Sequence, residues 1–491
     1  MTERLTDRLL ATADWRRDAP AVAAPDATLT HAELARTVER AAAWLAREGV
    51  RRGDRVAWLG LNAAAQLVLT FAAARLGAMT APLNWRLAEP ELAWIVADAE
   101  PTLILADETH ADTARRVAGG VPVRPAQAVL AGAEGPAATD ETRPEDPCLL
   151  VYTSGATGRP KGALLSQAAL FANARLATDM HALTKDDHVH TILPMFHVGG
   201  LDIQTLPALL AGARVSLMPR FEPAACLEEI ARLRPTLSVH VPATLQAMIA
   251  RPDWAEADLA SLRLIATGST DVPVPLIEAV HAKGVPVVQI YGATETAPVV
   301  VYQREADARA RLGSIGRPGP GVEVRLTDAE GRDVPDGAEG EIRVKSPTLA
   351  SGYWRKGPEG FEDGWWRSGD VARRDAEGWL WFADRLKNVI VSGGENIWPA
   401  ELERVLAGTP GIREAAVVGM PDARWGAVPV AVVAAEGLTE ADVLAAFEGR
   451  LARFKRPRRV VFVNALPRNA MGKVLPEAVR RTVAERDDAE V

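Results

Sequence analysis

The stretch Tyr152-Thr-Ser-Gly-Ala-Thr-Gly-Arg-Pro-Lys-Gly162 constrains the chain more than any other. Its glycines, Gly155, Gly158 and Gly162, admit backbone conformations closed to other residues, so amide N–H groups can converge on an anion. Thr153, Ser154 and Thr157 add hydroxyl donors, and Lys161 adds a point charge. The loop reads as a phosphate cradle. A nucleotide-hydrolase loop of the form Gly-x-x-x-x-Gly-Lys-Ser/Thr fails at two places. Counted from Gly155, Pro160 stands where the second glycine belongs and Gly162 where the magnesium-binding hydroxyl belongs. The flanks 148–152 and 163–165 read as short strands, which makes a hairpin-like loop rather than a strand-to-helix turn.

Around that loop the chain alternates helical and strand patterns. Helices are expected at 32–48 and 63–76, and strands at 55–59 and 102–105. After the loop come a helix at 166–177, strands at 188–193 and 214–218, and helices at 203–210 and 224–232. Gly, Pro, Ala and acidic residues at 132–147 read as a linker. From 313 to 382 the texture turns to short, turn-punctuated strands. A compact unit of about 100 residues follows, with strands at 389–391, 414–419, 428–434 and 459–463 and helices at 400–406 and 440–451. The fold class is thus α/β: a large N-terminal region of layered α/β subdomains with a β-rich subdomain, then a small α/β C-terminal domain.

Composition narrows the class of partner. The 491 residues carry 56 Lys and Arg against 64 Asp and Glu, a net charge of −8, which gives no field to attract nucleic acid or an anionic membrane. Length alone suggests about three domains. The two cysteines, Cys148 and Cys226, lie in apolar sequence at no metal or redox spacing and read as buried, reduced thiols of a cytoplasmic protein. The N-terminus mixes both charges without an apolar core, so no secretory signal is expected. The apolar run 63–83 is alanine-rich and interrupted by Gln66, Arg75 and Gly77, which fits a buried helix better than a membrane span.

Other segments carry chemistry. Leu193-Pro-Met-Phe-His-Val-Gly-Gly-Leu201 sets His197 beside two glycines. His188, His190 and His197 lack the Cys or carboxylate that would complete a zinc site. Gln289-Ile-Tyr-Gly-Ala-Thr-Glu-Thr-Ala-Pro298 offers an aromatic face, a hydroxyl and a carboxylate, the set needed to stack a base, touch a phosphate and hold Mg2+. Asp370, in Ser-Gly-Asp, and Arg385 can serve the two hydroxyls of a ribose. Lys473 follows Gly472 in a loop near the C-terminus. Taken singly, each of these has an ordinary reading: a core histidine, a polar turn, a surface ion pair, a solvated lysine.

Their order and spacing decide. The loop 153–162, Tyr291-Gly-x-Thr-Glu295, Ser368-Gly-Asp370, Asp384-Arg-Leu-Lys387, Ser392-Gly-Gly-Glu395 and Gly472-Lys473 resemble, over nearly the whole chain, the AMP-forming superfamily of acyl-CoA synthetases, adenylation domains and luciferases. The bacterial fatty-acyl and hydroxycinnamoyl-CoA ligases are the branch most similar. The resemblance implies a carboxylate attacking the α-phosphorus of MgATP to give an acyl-adenylate, followed by displacement of AMP by the thiol of coenzyme A. It implies that Thr153, Ser154, Gly155, Thr157, Gly158 and Lys161 hold the β- and γ-phosphates. Tyr291 would stack on adenine near Gly268 and Gly292, Thr294 would contact the α-phosphate, and Glu295 would ligate Mg2+. Asp370 and Arg385 would hold the ribose, and Lys473 would bridge the acyl carboxylate and the α-phosphate.

The same resemblance implies domains at 1–384 and 389–491 with a hinge at 385–388 pivoting on Lys387. Gly393 and Gly394 would line the pantetheine tunnel, and His197 would rearrange between steps beside an acyl pocket of Val198, Ile290, Pro298 and Val299. Ile290 replaces a glycine usual in relatives, which implies a short or narrow pocket. The wall at 198–204, 240–245, 268–270 and 298–300 reads as mostly apolar with Asp202 as an oddity. An apolar or aromatic acid of modest size is expected. Ala156 replaces a usual hydroxyl, and Trp398 stands where smaller rings are usual. The alternatives are transfer of the acyl group to a carrier protein or an amine, and a non-catalytic paralogue. The expected partners are the acid, ATP and CoA, with no nucleic acid or integral membrane contact and with a homodimer left open.

Overall fold

The apolar run after residue 63 forms the helix Ala64–Arg75, in which every residue through Ala74 is buried. A helix without a polar face belongs in the middle of a core. Its first N–H groups are satisfied from a distance, because the Asp26 carboxylate accepts from Ala64 N at 2.9 Å and Ala65 N at 3.0 Å. The computed structural model describes residues 3–134, 142–153, 160–269, 272–393, 395–422, 424–468 and 473–490. Among these, no helix is long and apolar enough to cross a membrane.

Two large sheets share one continuous core with this helix. The six-stranded sheet runs Val123–Pro125, Leu103–Ala106, Arg55–Leu59, Met79–Pro82, Pro147–Thr153, Lys161–Ser166. All its pairings are parallel except the last, the expected antiparallel hairpin, in which Thr153 lies opposite Lys161. The nine-stranded sheet has a parallel centre of Arg214–Leu217, His188–Thr191, Leu237–His240, Leu264–Gly268 and Val287–Tyr291. Val301–Tyr302 and Arg317–Pro318 extend it antiparallel, so the change to β-rich texture begins earlier in the chain than expected. Ser166 caps the following helix, Gln167–His181, by accepting from Ala169 N.

A third, antiparallel sheet is built on Trp365–Arg374, which pairs Glu339–Lys345 on one side and Leu380–Arg385 on the other. A fourth contains Glu395–Ile397, Ile390–Ser392, Gly426–Ala435 and Ile412–Asp422, with Arg459–Phe462 parallel to Gly426–Ala435. Each face of this sheet carries its own apolar cluster. The helix expected at 440–451 stops at Ala445. Tighter turns replace it, with Phe447 N donating to Leu444 O, and they sink Phe447 fully into the core. The stretch 198–210 also breaks in two, Val198–Leu201 and Thr205–Leu210, where the Thr205 hydroxyl donates to Gly200 O at 2.6 Å.

The third and fourth sheets meet at Asp384. Its Oδ1 accepts from Arg385 N at 2.6 Å and Asn388 Nδ2 at 2.9 Å, and its Oδ2 accepts from Ala400 N at 2.7 Å. The helix Pro399–Ala407 has Trp398 at its N-cap, which offers no capping side chain, so a carboxylate 16 residues earlier supplies the missing acceptor. Trp398 Nε1 donates to Glu339 Oε2 at 2.5 Å, which gives this large ring a role in joining the two sheets. Asp384→Ala should leave the buried Ala400 N–H without a partner and cost about 1–3 kcal/mol. Faster proteolysis between residues 385 and 400, with the larger sheets still protected, is the expected readout; an unchanged cleavage rate would refute it.

Candidate active site

The strands Leu264–Gly268 and Val287–Tyr291 end side by side, with Gly268 opposite Ile290. Space for any side chain is absent here. A Cβ on Gly268 would lie 2.3 Å from Ile290 O, and one on Gly292 would lie 1.6 Å from Pro298 O. The carboxyl ends of parallel strands are where such sheets bind ligands, and the motif residues gather around this edge.

Asp370 is the centre of the gathering. It is 8% exposed, accepts from the Tyr291 hydroxyl at 3.0 Å and pairs with Arg385 Nε at 3.2 Å. Register explains the pairing, because Asp370 and Arg385 lie directly opposite in adjacent antiparallel strands. The Asp370 N–H donates to Ser368 Oγ, which in turn donates to Ile342 O. Burial raises the Asp370 carboxyl, and the charge of Arg385 opposes that rise.

Lys473 joins this group from the far end of the chain. Its ammonium is shifted from the ordinary lysine value down to about 8, first by burial and then by repulsion from Arg385 and Lys387, while Asp370 and Asp384 pull it back up. Lys387, in the turn Leu386–Asn388, is lowered by burial and by Arg385. The sequence segments around 370, 385 and 473 thus share one electrostatic environment.

A second charged group lies at the base of the hairpin formed by Pro147–Thr153 and Lys161–Ser166. Lys161 Nζ pairs with Glu359 Oε1 at 2.8 Å and stands 5.3 Å from the centroid of the Tyr353 ring. The Tyr353 hydroxyl donates to Glu295 Oε1 at 2.7 Å. Trp354 N donates to Gly162 O and Ala350 N to Glu295 O, so the segment 350–354 ties the hairpin to the Tyr291 motif. Tyr353 and Glu359 were not singled out from sequence. Nothing marks them there except a Tyr-Trp pair and an acid in a turn-rich stretch, since their contacts arise only when distant strands close. Ser154, Gly155, Thr157, Gly158 and Gly394 lie outside the described residues, as do Ala156, Thr270 and Gly472. Thr153 is described, and its hydroxyl donates to Lys161 O at 3.4 Å.

His197 caps the short helix Val198–Leu201, its Nδ1 accepting from Gly199 N at 3.1 Å. Burial holds its pKa down to about 4, so the ring is neutral and the proton sits on Nε2. Val198, Ile290, Pro298 and Val299 are all buried, and Val299 N donates to Asn173 Oδ1. Thr294 is buried at the start of a turn that continues into Glu295. Asp202 is 1% exposed, and neither carboxyl oxygen has a hydrogen-bond partner among the described residues; burial raises its pKa well above the ordinary value. His188 and His190 both contact Ser216 Oγ at 2.9 Å, at the other edge of the sheet centre.

Gly393 has φ +61°, and its N–H donates to Trp425 O at 2.8 Å. The Trp425 ring packs so closely that a Cβ on Gly393 would lie 2.7 Å from Cε3. Arg424 stands 4.9 Å and Arg458 5.6 Å from the centroid of the same ring. In this arrangement Trp425 covers the glycine expected to line a tunnel.

Residues 10–354 match the family of AMP-binding enzymes, and residues 401–473 match the AMP-binding enzyme C-terminal domain. The chain is 47% identical over 486 residues to an indoleacetate–CoA ligase of Aromatoleum aromaticum, covering 95% of each. It is 42% identical over 463 residues to a feruloyl-CoA synthase of Amycolatopsis, covering 92% of this chain and 94% of that one. Among solved structures, the o-succinylbenzoate CoA synthetase of Bacillus subtilis with its acyl-adenylate intermediate superposes with a TM-score of 0.88 at 30% identity, covering 96% and 97% of the two chains. The gathering of Tyr291, Asp370, Arg385 and Lys473 at one strand edge and the matches along the chain lead to one conclusion: this protein belongs to the AMP-binding enzyme family, within the superfamily of acyl-CoA synthetases.

Proposed function

We propose that the chain joins a compact aromatic or apolar carboxylic acid to coenzyme A, at the expense of ATP, through an acyl-adenylate. The observation that carries this reading is Lys473 held beside Asp370 and Arg385. A cation from the C-terminal unit that shares the field of a candidate ribose-binding pair would be in reach of the α-phosphate. The relatives named for indoleacetate and ferulate support an aromatic acid. Buried Val198, Ile290, Pro298 and Val299 support a pocket without a second charge.

In the first half-reaction the acid's carboxylate oxygen attacks the α-phosphorus, and the bond to pyrophosphate breaks. Lys473 would sit against the charge that grows on the α-phosphate, a preorganised contact that typically carries a factor of about 100 to 1,000 in rate. Lys161 would exchange Glu359 for the departing phosphates. Glu295, with Oε1 already oriented by Tyr353, would hold Mg2+ through its other oxygen; the metal would neutralise phosphate charge. Asp370 and Arg385 would take the ribose hydroxyls, and Tyr291 would lie along the adenine. In the second half-reaction the CoA thiol attacks the acyl carbon, loses its proton, and AMP leaves. A rotation of the C-terminal unit about Lys387 would remove Lys473 and present Gly393 and Gly394. The exposed Trp425 between Arg424 and Arg458 suits the nucleotide end of CoA.

Lys473→Ala is expected to abolish pyrophosphate release while leaving thioester formation from supplied acyl-AMP within a few-fold of normal; equal loss in both half-reactions would sink the assignment. Since Lys473 is charged below about pH 8 and neutral above it, kcat/KM for ATP in the adenylation step should fall as pH rises through that range. A profile flat to pH 9.5 would contradict a cationic role. Tyr353→Phe keeps the ring under Lys161 but removes the bond to Glu295, and it should raise the Mg2+ concentration needed for half-maximal adenylation by about tenfold, from the loss of roughly 1.4 kcal/mol. No change in the Mg2+ requirement would count against the link. Ile290→Gly should admit longer or wider acids in a substrate panel; an unchanged acid profile would show that Ile290 does not floor the pocket.

A further inference from the structure

One small cavity lies between the strand His188–Thr191 and the break in the helical stretch 198–210. Its lining includes Thr191, Leu193, Gly199, Gly200, Gln204, Thr205 and Val239. The centre of a water-sized sphere can range over about 10 Å³ within it, room for one water or one small polar substituent. Val239 pairs with Ala266 in register, and Gly268 pairs with Ile290 on the same face of the sheet. The cavity therefore lies on the same side of the sheet as Ile290, the residue proposed to floor the acyl pocket. Gly199 and Gly200 border the cavity and contribute no side chains to its wall.

The polar groups in this lining are not equally satisfied. Thr191 and Thr205 bond to each other at 2.6 Å, and Thr205 also donates to Gly200 O at 2.6 Å. Gln204 is 2% exposed, yet neither its Oε1 nor its Nε2 has a hydrogen-bond partner among the described residues. A carboxamide offers two donors and two acceptor lone pairs, and leaving all of them unmet in the interior is strongly unfavourable. The remaining contacts of the residue are ordinary: its carbonyl accepts from Ala208 N at 2.8 Å. An unpaired amide beside a cavity of this size awaits one polar group.

We propose that Gln204 is the specificity-determining residue for the far end of the acid, hydrogen-bonding an N–H or O–H carried on the ring distal to the carboxylate. The substrate class is then narrower than an apolar aromatic acid. It is a compact aromatic acid with one hydrogen-bonding group at its far end. The inference rests on the acid–CoA ligase reading for the carboxylate end, but the recognition itself involves no chemical step.

Both can be tested apart. The probes are pairs of aromatic acids that differ only in hydroxyl against methyl at the distal ring position, assayed by pyrophosphate release. Their non-reactive acyl-sulfamoyl-adenosine forms are measured by calorimetry. The wild-type chain should prefer the hydroxyl member by about 10- to 100-fold in both kcat/KM and affinity. Gln204→Leu, close in volume and without the amide, should erase that ratio by weakening the hydroxyl member while the methyl member holds or gains. Gln204→Glu should keep a preference for the hydroxyl, which separates recognition from mere packing. Equal ratios in wild type and Gln204→Leu, or affinity for neither analogue, would overturn the proposal and assign the cavity to a buried water. Discrimination between the analogues without pyrophosphate release from any acid would leave the Gln204 assignment standing and defeat the ligase reading.

Discussion

A buried carboxylate facing a guanidinium, Asp370 with Arg385, is the contact on which the site depends. Removing a charge from water costs several kcal/mol unless partners replace the lost solvent. Here they are Arg385 and the Tyr291 hydroxyl. These partners come from two sheets: Arg385 pairs with Asp370 within one sheet, and the Tyr291 hydroxyl reaches it only when the sheet ending in Tyr291 docks against that sheet. Lys473 shares the same field, and its pKa is depressed first by burial and then by the positive charge of Arg385. The electrostatics of the site is thus a readout of tertiary assembly.

How much was legible in the sequence follows from how local each signal is. Tyr291, Glu295, Asp370, Arg385 and Lys473 sit in short motifs whose residue types state their chemistry, and three of them, Tyr291, Asp370 and Arg385, come into direct contact. The hairpin at 147–166 was legible because alternation and glycines mark it. Tyr353 was not, because its bond to Glu295 spans 58 positions and depends on how a bend folds over the hairpin. Gln204 was hidden for the opposite reason: it lies in an apolar run that reads as wall, and only burial without partners reveals its polarity. The helix beginning at Glu440 came out short because periodicity continues through Phe447, whereas the backbone tightens to bury that ring.

The charged residues of the hairpin show a related economy. Lys161, Tyr353, Glu295 and Glu359 form a chain of contacts in which Lys161 has Glu359 and the Tyr353 ring beside it and Glu295 accepts from the Tyr353 hydroxyl. If Lys161 takes up phosphate as proposed, its affinity is a difference between two ion pairs rather than the full strength of one, which favours release of a cleaved product.

The bonds from Asp384 to Ala400 and from Glu339 to Trp398 have a mechanical meaning beyond holding two sheets together. Both cross the short segment 385–398, and both end on backbone or ring N–H groups that water could satisfy equally well once exposed. They therefore seat the start of the C-terminal unit on the third sheet through two exchangeable hydrogen bonds and the buried indole of Trp398. If that unit turns about Lys387 as proposed, the two bonds act as a detent whose depth sets a rate of departure rather than forbidding it.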